Sequence, residues 1–531
     1  MHPISRRAFI VGAVAAGAVA CGGQSSGPGR QDVGASTAVR TAAPPPPLPR
    51  SPFSLGVASG DPLPDSVVLW TRLAPDPLRG GGMPSTDVDV EWEVAEDETF
   101  ADVVAAGVAT AEPRYGHALH VEVSELDPDR WYAYRFRVGE HTSPVGRTRT
   151  APADDTSPER FRIAVANCQD LQGGYYLAHR DIAAQDFDAV LFLGDYIYEV
   201  PGVDDPEQAL AERRYLGSRF PETLDDYRAR YARARLDPDL QAAHAACPWI
   251  VTFDDHEVIN NYAGRDGALG GKGPAFAARR AAAYQAWWEH MPIRTPPPET
   301  DSVRVHRDLR WGDLAHLFVI ETRQDADPPP CRETSNFDQG PGCPERLEPA
   351  RSALGAEQRE WLFNGLTSST ATWTLLGNPV LLAGLDVSDP GEPPEYFLEV
   401  WDGYPVERRA LVEHLADERV PSPVVLTGDY HAAFVNLVKP DPWDPDSPVA
   451  APELLATSVS SGLYVHDYRA KNPQVLWFDG QHHGYLDAEV GRERIVARFR
   501  GVGDVKDPSS PVTTVATFEI TSGKPPQVRQ I

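Results

Sequence analysis

Between residues 51 and 150 the chain alternates short apolar runs with turn-forming residues. The runs fall at 67–70, 88–94, 119–123 and 131–138, and breaks such as Asp61-Pro62 and Asp127-Pro128 punctuate them. Short strands at this spacing predict a small all-β sandwich of about 100 residues. Residues 151–158 (APADDTSP) read as a linker, and from there the texture changes. Apolar runs at 161–166, 189–193, 249–253, 314–320, 373–376 and 424–426 predict strands, and they alternate with longer helical segments at 224–234 and 274–290. Within the second helix Phe276, Ala283 and Trp287 recur at the spacing that puts them on one face. Thr223-Leu224-Asp225-Asp226 and Leu354-Gly355-Ala356-Glu357-Gln358 carry helix-start chemistry. The pattern predicts a sandwich over 51–150, an α/β domain over 158–500 and a C-terminal tail over 501–531.

The N-terminus reads as an address. Ser5-Arg6-Arg7 precedes an uninterrupted apolar run from Phe9 to Ala20, 12 residues long. A membrane-spanning helix needs about 20. Residues 1–21 therefore predict an export signal, and the arginine pair resembles a twin-arginine (Tat) signal. Ala18-Val19-Ala20-Cys21 resembles a lipoprotein cleavage site, which makes Cys21 a candidate for lipidation. Residues 22–50 are rich in Gly, Ser, Ala and Pro and end in four consecutive prolines, the composition of a tether. The expected location is periplasmic, extracellular or cell-surface, with membrane contact only through a lipid on Cys21.

Composition narrows the partners. With 49 basic and 77 acidic residues the formal charge is −28. That balance excludes nucleic acid as a bulk partner, because binding a phosphate backbone needs a basic face. Among the five cysteines, Cys331 and Cys343 flank a Pro/Gly-rich loop and predict a disulfide in an exported protein, whereas Cys247 reads as a buried thiol. Residues 325–350 read as an insertion able to cover a site. A monomer is expected.

The chemistry sits at strand ends. Ligands in open α/β folds gather outside the carboxyl ends of the strands. Four apolar runs end there in metal-type donors: Asn167-Cys168-Gln169, Gly194-Asp195-Tyr196-Ile197-Tyr198-Glu199, Asp254-Asp255-His256-Glu257 and Gly428-Asp429-Tyr430-His431. One aspartate after a strand is a turn or a helix cap. Four endings rich in carboxylate, imidazole, thiol and phenol groups predict a metal cluster. Thiolate and imidazole suit transition metals, phenolate favours ferric iron, and carboxylates suit a harder cation such as calcium. Cys168, Asp195, Tyr198 and His431 thus read as an iron site. A second metal beside it, bridged by Asp195, would suit in-line phosphoryl displacement.

These motifs resemble the metallophosphatase superfamily and, more closely, the PhoD-type alkaline phosphatase/phosphodiesterase family. The resemblance extends to Ser59-Gly60-Asp61-Pro62, Trp70-Thr71-Arg72, Tyr227-Arg228-Ala229-Arg230-Tyr231 and Trp401-Asp402-Gly403-Tyr404-Pro405, and covers roughly residues 51–500. It implies an α/β/β/α sandwich catalytic domain. It implies Fe3+ on Cys168, Asp195, Tyr198 and His431, and Ca2+ near Asp195, Asp255 and Asp429. His256 is then the candidate for stabilising phosphoryl oxygens or protonating the leaving group, Arg323 a candidate phosphate clamp, and Asn260 and Asn261 candidate ligand oxygens. The sequence departs from the family at Tyr430 and Ala432, where Val and Ser are usual, and at Glu321, where Asp is usual. The implied activity is hydrolysis of small-molecule or lipid phosphoesters by metal-activated water. A lipid- or polymer-directed phosphodiesterase and, from another class, a non-catalytic adhesion protein are the alternatives.

Overall fold

The computed structural model describes residues 41–531 except 206–208, 269–270, 299 and 333–338. The expected export signal, Cys21 and most of the expected tether lie outside the described residues. Two sheets form the centre. In the larger, ten-stranded sheet, Arg160–Ala166, Ala189–Leu193 and Trp249–Thr252 are parallel neighbours. In the seven-stranded sheet the parallel centre is Ala315–Val319, Trp373–Asn378, Pro423–Thr427 and Ala451–Leu455.

Side-chain alternation along these strands makes the layers. Ile163, Val165, Leu191 and Leu193 point inward and meet Leu317, Leu375, Val424 and Leu426 of the other sheet. Their neighbours Ala164, Val190 and Phe192 point outward, under Leu177 and Ile182 of the helix Leu177–Ala184 and Trp287 of the helix Pro274–His290. On the far side Phe318, Leu376 and Val425 pack under Leu362 and Leu411 of the helices Gly355–Ser368 and Pro405–Leu415. Strands buried on both faces read as continuous apolar runs, which is why they stand out in the sequence. The result is the expected α/β/β/α sandwich. The helix Leu224–Arg235 starts where its chemistry predicts: the Thr223 side chain accepts from Asp226 N, and the Asp226 carboxylate reaches back to Thr223 N.

The N-terminal region is all β, and its sandwich is not self-contained. One layer is the sheet built on Val88–Ala95, Val103–Ala111 and Trp131–Val138. The other layer is Val57–Gly60, Val67–Arg72 and Ala118–Val123, and these strands continue the ten-stranded sheet through a parallel pairing of Gly60 with Trp249. Trp70 Nε1 donates to Glu289 O at 3.1 Å and the Arg307 guanidinium holds Asp61 at 2.6 Å, which fixes the join.

The expected tail at 501–531 is a correction. Arg494–Val502 runs through the boundary at 500, and Val512–Thr521 and Gln527–Gln530 extend the same sheet antiparallel. Inward-facing Ala516, Phe518 and Ile520 join the core between the sheets, so this segment buries apolar surface of its own. Cys331 and Cys343 form the expected disulfide, and Cys247 is buried. Among the described residues no helix is long and apolar enough to cross a membrane.

Candidate functional site

The four donor-bearing turns leave the two sheets at the same edge and converge. Their backbones are unusual. Cys168, Asp195, Asp429 and His431 all adopt positive φ, at 55°, 57°, 68° and 57°. Left-handed backbone is costly for residues with a Cβ and persists only where the surroundings over-determine it. Here they do. Cys168 N donates to Gly194 O at 3.1 Å and Gln169 N to Asp195 O at 3.0 Å, which ties the first turn to the second. The Glu257 carboxylate accepts from Asp195 N, Tyr196 N and Asp254 N at 3.0, 2.6 and 2.9 Å, which ties the second to the third. Gly194 is required at the crossing, because a Cβ there would meet Asp254 N at 2.6 Å.

The side chains then meet over a short span. Tyr198 Oη lies 2.9 Å from Asp195 Oδ2 and 3.0 Å from His431 Nε2, and Cys168 Sγ lies 3.4 Å from Asp195 Oδ2. His431 is aimed by its other nitrogen, which contacts Gly462 O at 2.8 Å. Two groups of ligand atoms, each spanning no more than 4.8 Å, result: Cys168, Asp195 and His431, and Asp195, Asp255 and His256. Asp195 belongs to both, and its Oδ1 is buried with no hydrogen-bond partner among the described residues. An orphaned carboxylate oxygen between two donor sets fits a bridging ligand.

Electrostatics points the same way. Burial, with Asp255 and Asp254 nearby and against the pull of His256, pushes Asp195 up to about 8. Burial, Asp254 and Glu399 raise Asp429 well above the carboxylate range. Burial and the Asp195 charge also hold the Cys168 thiol and Tyr198 phenol in their protonated forms. Burial opposes a charged His256, but Glu199, Asp255 and Asp195 outweigh it and raise the ring well above an ordinary imidazole. Buried acids crowded this closely ask for cations, and a cation would reverse each of these shifts.

The expected site residues separate into two groups. Cys168, Asp195, Tyr198, Asp255, His256, Asp429 and His431 come together around one cleft, and Asn260 and Asn261 line it too. Arg323 lies beneath. Its fully buried guanidinium is occupied by Asp254 at 2.5 Å and Glu399 at 3.1 Å, an arrangement that positions carboxylates and leaves the expected contact with phosphate unsupported. Of the residues 325–350, none that the structure describes lines the cleft. Three contributors were not singled out in the sequence. Glu199 meets His256 Nδ1 at 2.6 Å and Asn260 N at 2.9 Å, Glu257 organises the backbone, and Glu399 lines the cleft. Glu199 and Glu257 sit inside the donor-rich motifs, so their position was a usable signal. Glu399 follows no apolar strand run and carried none.

Comparison with known proteins agrees with this geometry. Residues 163–499 match the family model described as PhoD-like phosphatase, and residues 38–152 match the model of the PhoD-like phosphatase N-terminal domain. The chain belongs to the PhoD-like phosphatase family. That membership makes it a phosphoric ester hydrolase. It is 42% identical over 474 residues to alkaline phosphatase D of Bacillus subtilis (strain 168), covering 88% of this chain and 80% of that protein. A solved structure titled "Structure of PhoD" superposes with a TM-score of 0.86 at 40% identity, over 92% of this chain and 93% of that one.

Proposed function

We propose that the chain is an exported, metal-dependent alkaline phosphatase/phosphodiesterase that holds Fe3+ on Cys168, Asp195, Tyr198 and His431 and Ca2+ near Asp195, Asp255 and Asp429. The observation that carries this reading is the convergence of a thiol, a phenol, an imidazole and a carboxylate within 3.4 Å contacts around Asp195. That donor mixture suits a ferric ion, and the carboxylates of Asp195, Asp255 and Asp429 suit a harder cation. Bound there, the ions supply Lewis acidity toward the phosphoryl group and the attacking water.

The residues do the rest. Asp195 joins the two donor sets. Glu199 fixes the His256 ring through Nδ1, which leaves Nε2 to serve a phosphoryl oxygen or give a proton to the departing alcohol. Arg323 acts as a positioning residue that keeps Asp254 and Glu399 in place. Tat export, lipidation at Cys21 and a monomeric state complete the proposal. The test is the visible spectrum and elemental content of residues 51–531 purified aerobically, with and without Tyr198→Phe. Iron and a colour bleached by the substitution are expected. A colourless, iron-free protein active with added divalent ions would overturn the iron assignment.

A further inference from the structure

The cleft has two unlike walls. One carries Asp195, Asp255, His256, Asp429 and His431; the other is Phe397, Tyr430 and Tyr464. The three rings contact one another pairwise, with centroids 5.7 Å (Phe397 and Tyr430), 6.1 Å (Phe397 and Tyr464) and 5.4 Å (Tyr430 and Tyr464) apart. Tyr430 is backed by Phe434 at 4.9 Å, itself backed by Phe478 at 4.9 Å, so the wall rests on a packed apolar layer. Phe397 is held from the other side. Its strand, Glu395–Phe397, pairs with Gln339–Pro341 inside the loop closed by the Cys331–Cys343 disulfide. Toward solvent the wall continues into Tyr464, 48% exposed, and Val465, 71% exposed.

A phosphoryl group has no use for such a surface. The face of an aromatic ring carries partial negative charge and repels phosphate oxygens, while it attracts flat apolar groups through dispersion and offset stacking. The cleft holds only about 150 Å³. A phosphoester bound with its phosphorus at the polar wall can lay its organic group along the rings and out past Tyr464. We infer that Phe397, Tyr430 and Tyr464 form a specificity platform that selects phosphoesters carrying a flat, apolar organic group. The inference rests on the phosphoester reading of the polar wall.

The Tyr430 hydroxyl has no hydrogen-bond partner among the described residues, so Tyr430→Val removes a ring without breaking a hydrogen bond. Tyr464 is half exposed, so Tyr464→Ala tests the platform without loss of core packing. The probes are bis(4-nitrophenyl) phosphate and methyl 4-nitrophenyl phosphate, which share a leaving group and differ in one arm. The readout is the ratio of their kcat/KM values. Each variant is expected to lower that ratio by about 3–10-fold, the scale of one aromatic contact, mainly through KM, and Tyr464→Phe to restore it. Values of kcat/KM for both probes within twofold of wild type in Tyr430→Val and Tyr464→Ala would overturn the platform, whereas an equal fall for both would place the shared 4-nitrophenyl group on the rings. Absence of turnover of both probes and of the monoester 4-nitrophenyl phosphate by the wild-type holoenzyme would overturn the phosphoester reading, and the platform with it.

Discussion

The interior of the parallel strands and the turns just beyond them are equally buried and chemically opposite. Leu191 and Leu193 lie in the apolar core between the sheets, and Asp195, two residues on, sits among acids with one oxygen orphaned. The strand interiors have relaxed extended backbone, whereas the turns place Cys168, Asp195, Asp429 and His431 at positive φ. The contrast teaches that burial alone says little about stability. In the core it removes apolar surface from water, while at the strand ends it raises proton affinities and stores a demand for cations.

The largest test of this contrast is Asp195→Asn. It is expected to lower kcat/KM by about a thousandfold or more, roughly 4 kcal/mol of transition-state stabilisation, while the metal-free protein melts no lower than wild type because a buried acid has been removed. A matching fall in the melting temperature would break the contrast. The opposite behaviour is expected of Leu193→Ala: about 2–5 kcal/mol of stability lost to an unfilled cavity, measured by denaturant titration, with turnover per folded molecule retained.

How much of this was legible in the sequence follows from the same contrast. The parallel strands were visible because both faces are apolar, and the ligands were visible because each follows such a run directly. Arg323 follows the strand run 314–320 just as closely, but its partners Asp254 and Glu399 are distant in the chain, so its role could be assigned only once the fold existed. The strands Val512–Thr521 and Gln527–Gln530 were missed because Thr, Glu, Gln and Arg occupy many of their outward positions and dilute the apolar signal. The merging of the sandwich into the catalytic sheet rests on Gly60 meeting Trp249, and no local pattern encodes that.

A finer test concerns polar groups buried within the apolar region. His179 is fully buried on the helix Leu177–Ala184 and contacts Gln169 Oε1 at 2.6 Å. Burial, only partly opposed by Asp237, lowers its pKa to about 4. The unfolded chain takes up the proton near pH 6.5 and the folded chain does not. Stability from this group is therefore full above about pH 6.5 and falls as pH drops toward 4, by up to about 3 kcal/mol. Unfolding midpoints between pH 7 and 4 should decline less steeply in His179→Gln than in wild type. The smallest effect is expected from Glu199→Gln, which keeps a hydrogen-bonding side chain beside His256 but loses its charge. A 10–100-fold drop in turnover, about 1–3 kcal/mol, with little change in melting temperature, would mark Glu199 as part of the site. Unaltered turnover would move it to the scaffold.

The shared ten-stranded sheet has a consequence for how the chain could be divided. Pairing of Gly60 with Trp249 makes the N-terminal strands an edge guard for the catalytic sheet. Cutting near residue 150 would remove the pairing at Gly60, free Trp249 O from Asp61 N, and uncover the fully buried strand Trp249–Thr252. Such an edge recruits other chains. The catalytic segment expressed alone would then tend to aggregate, so the strands between Val57 and Val123 serve the enzyme as a built-in protection against self-association.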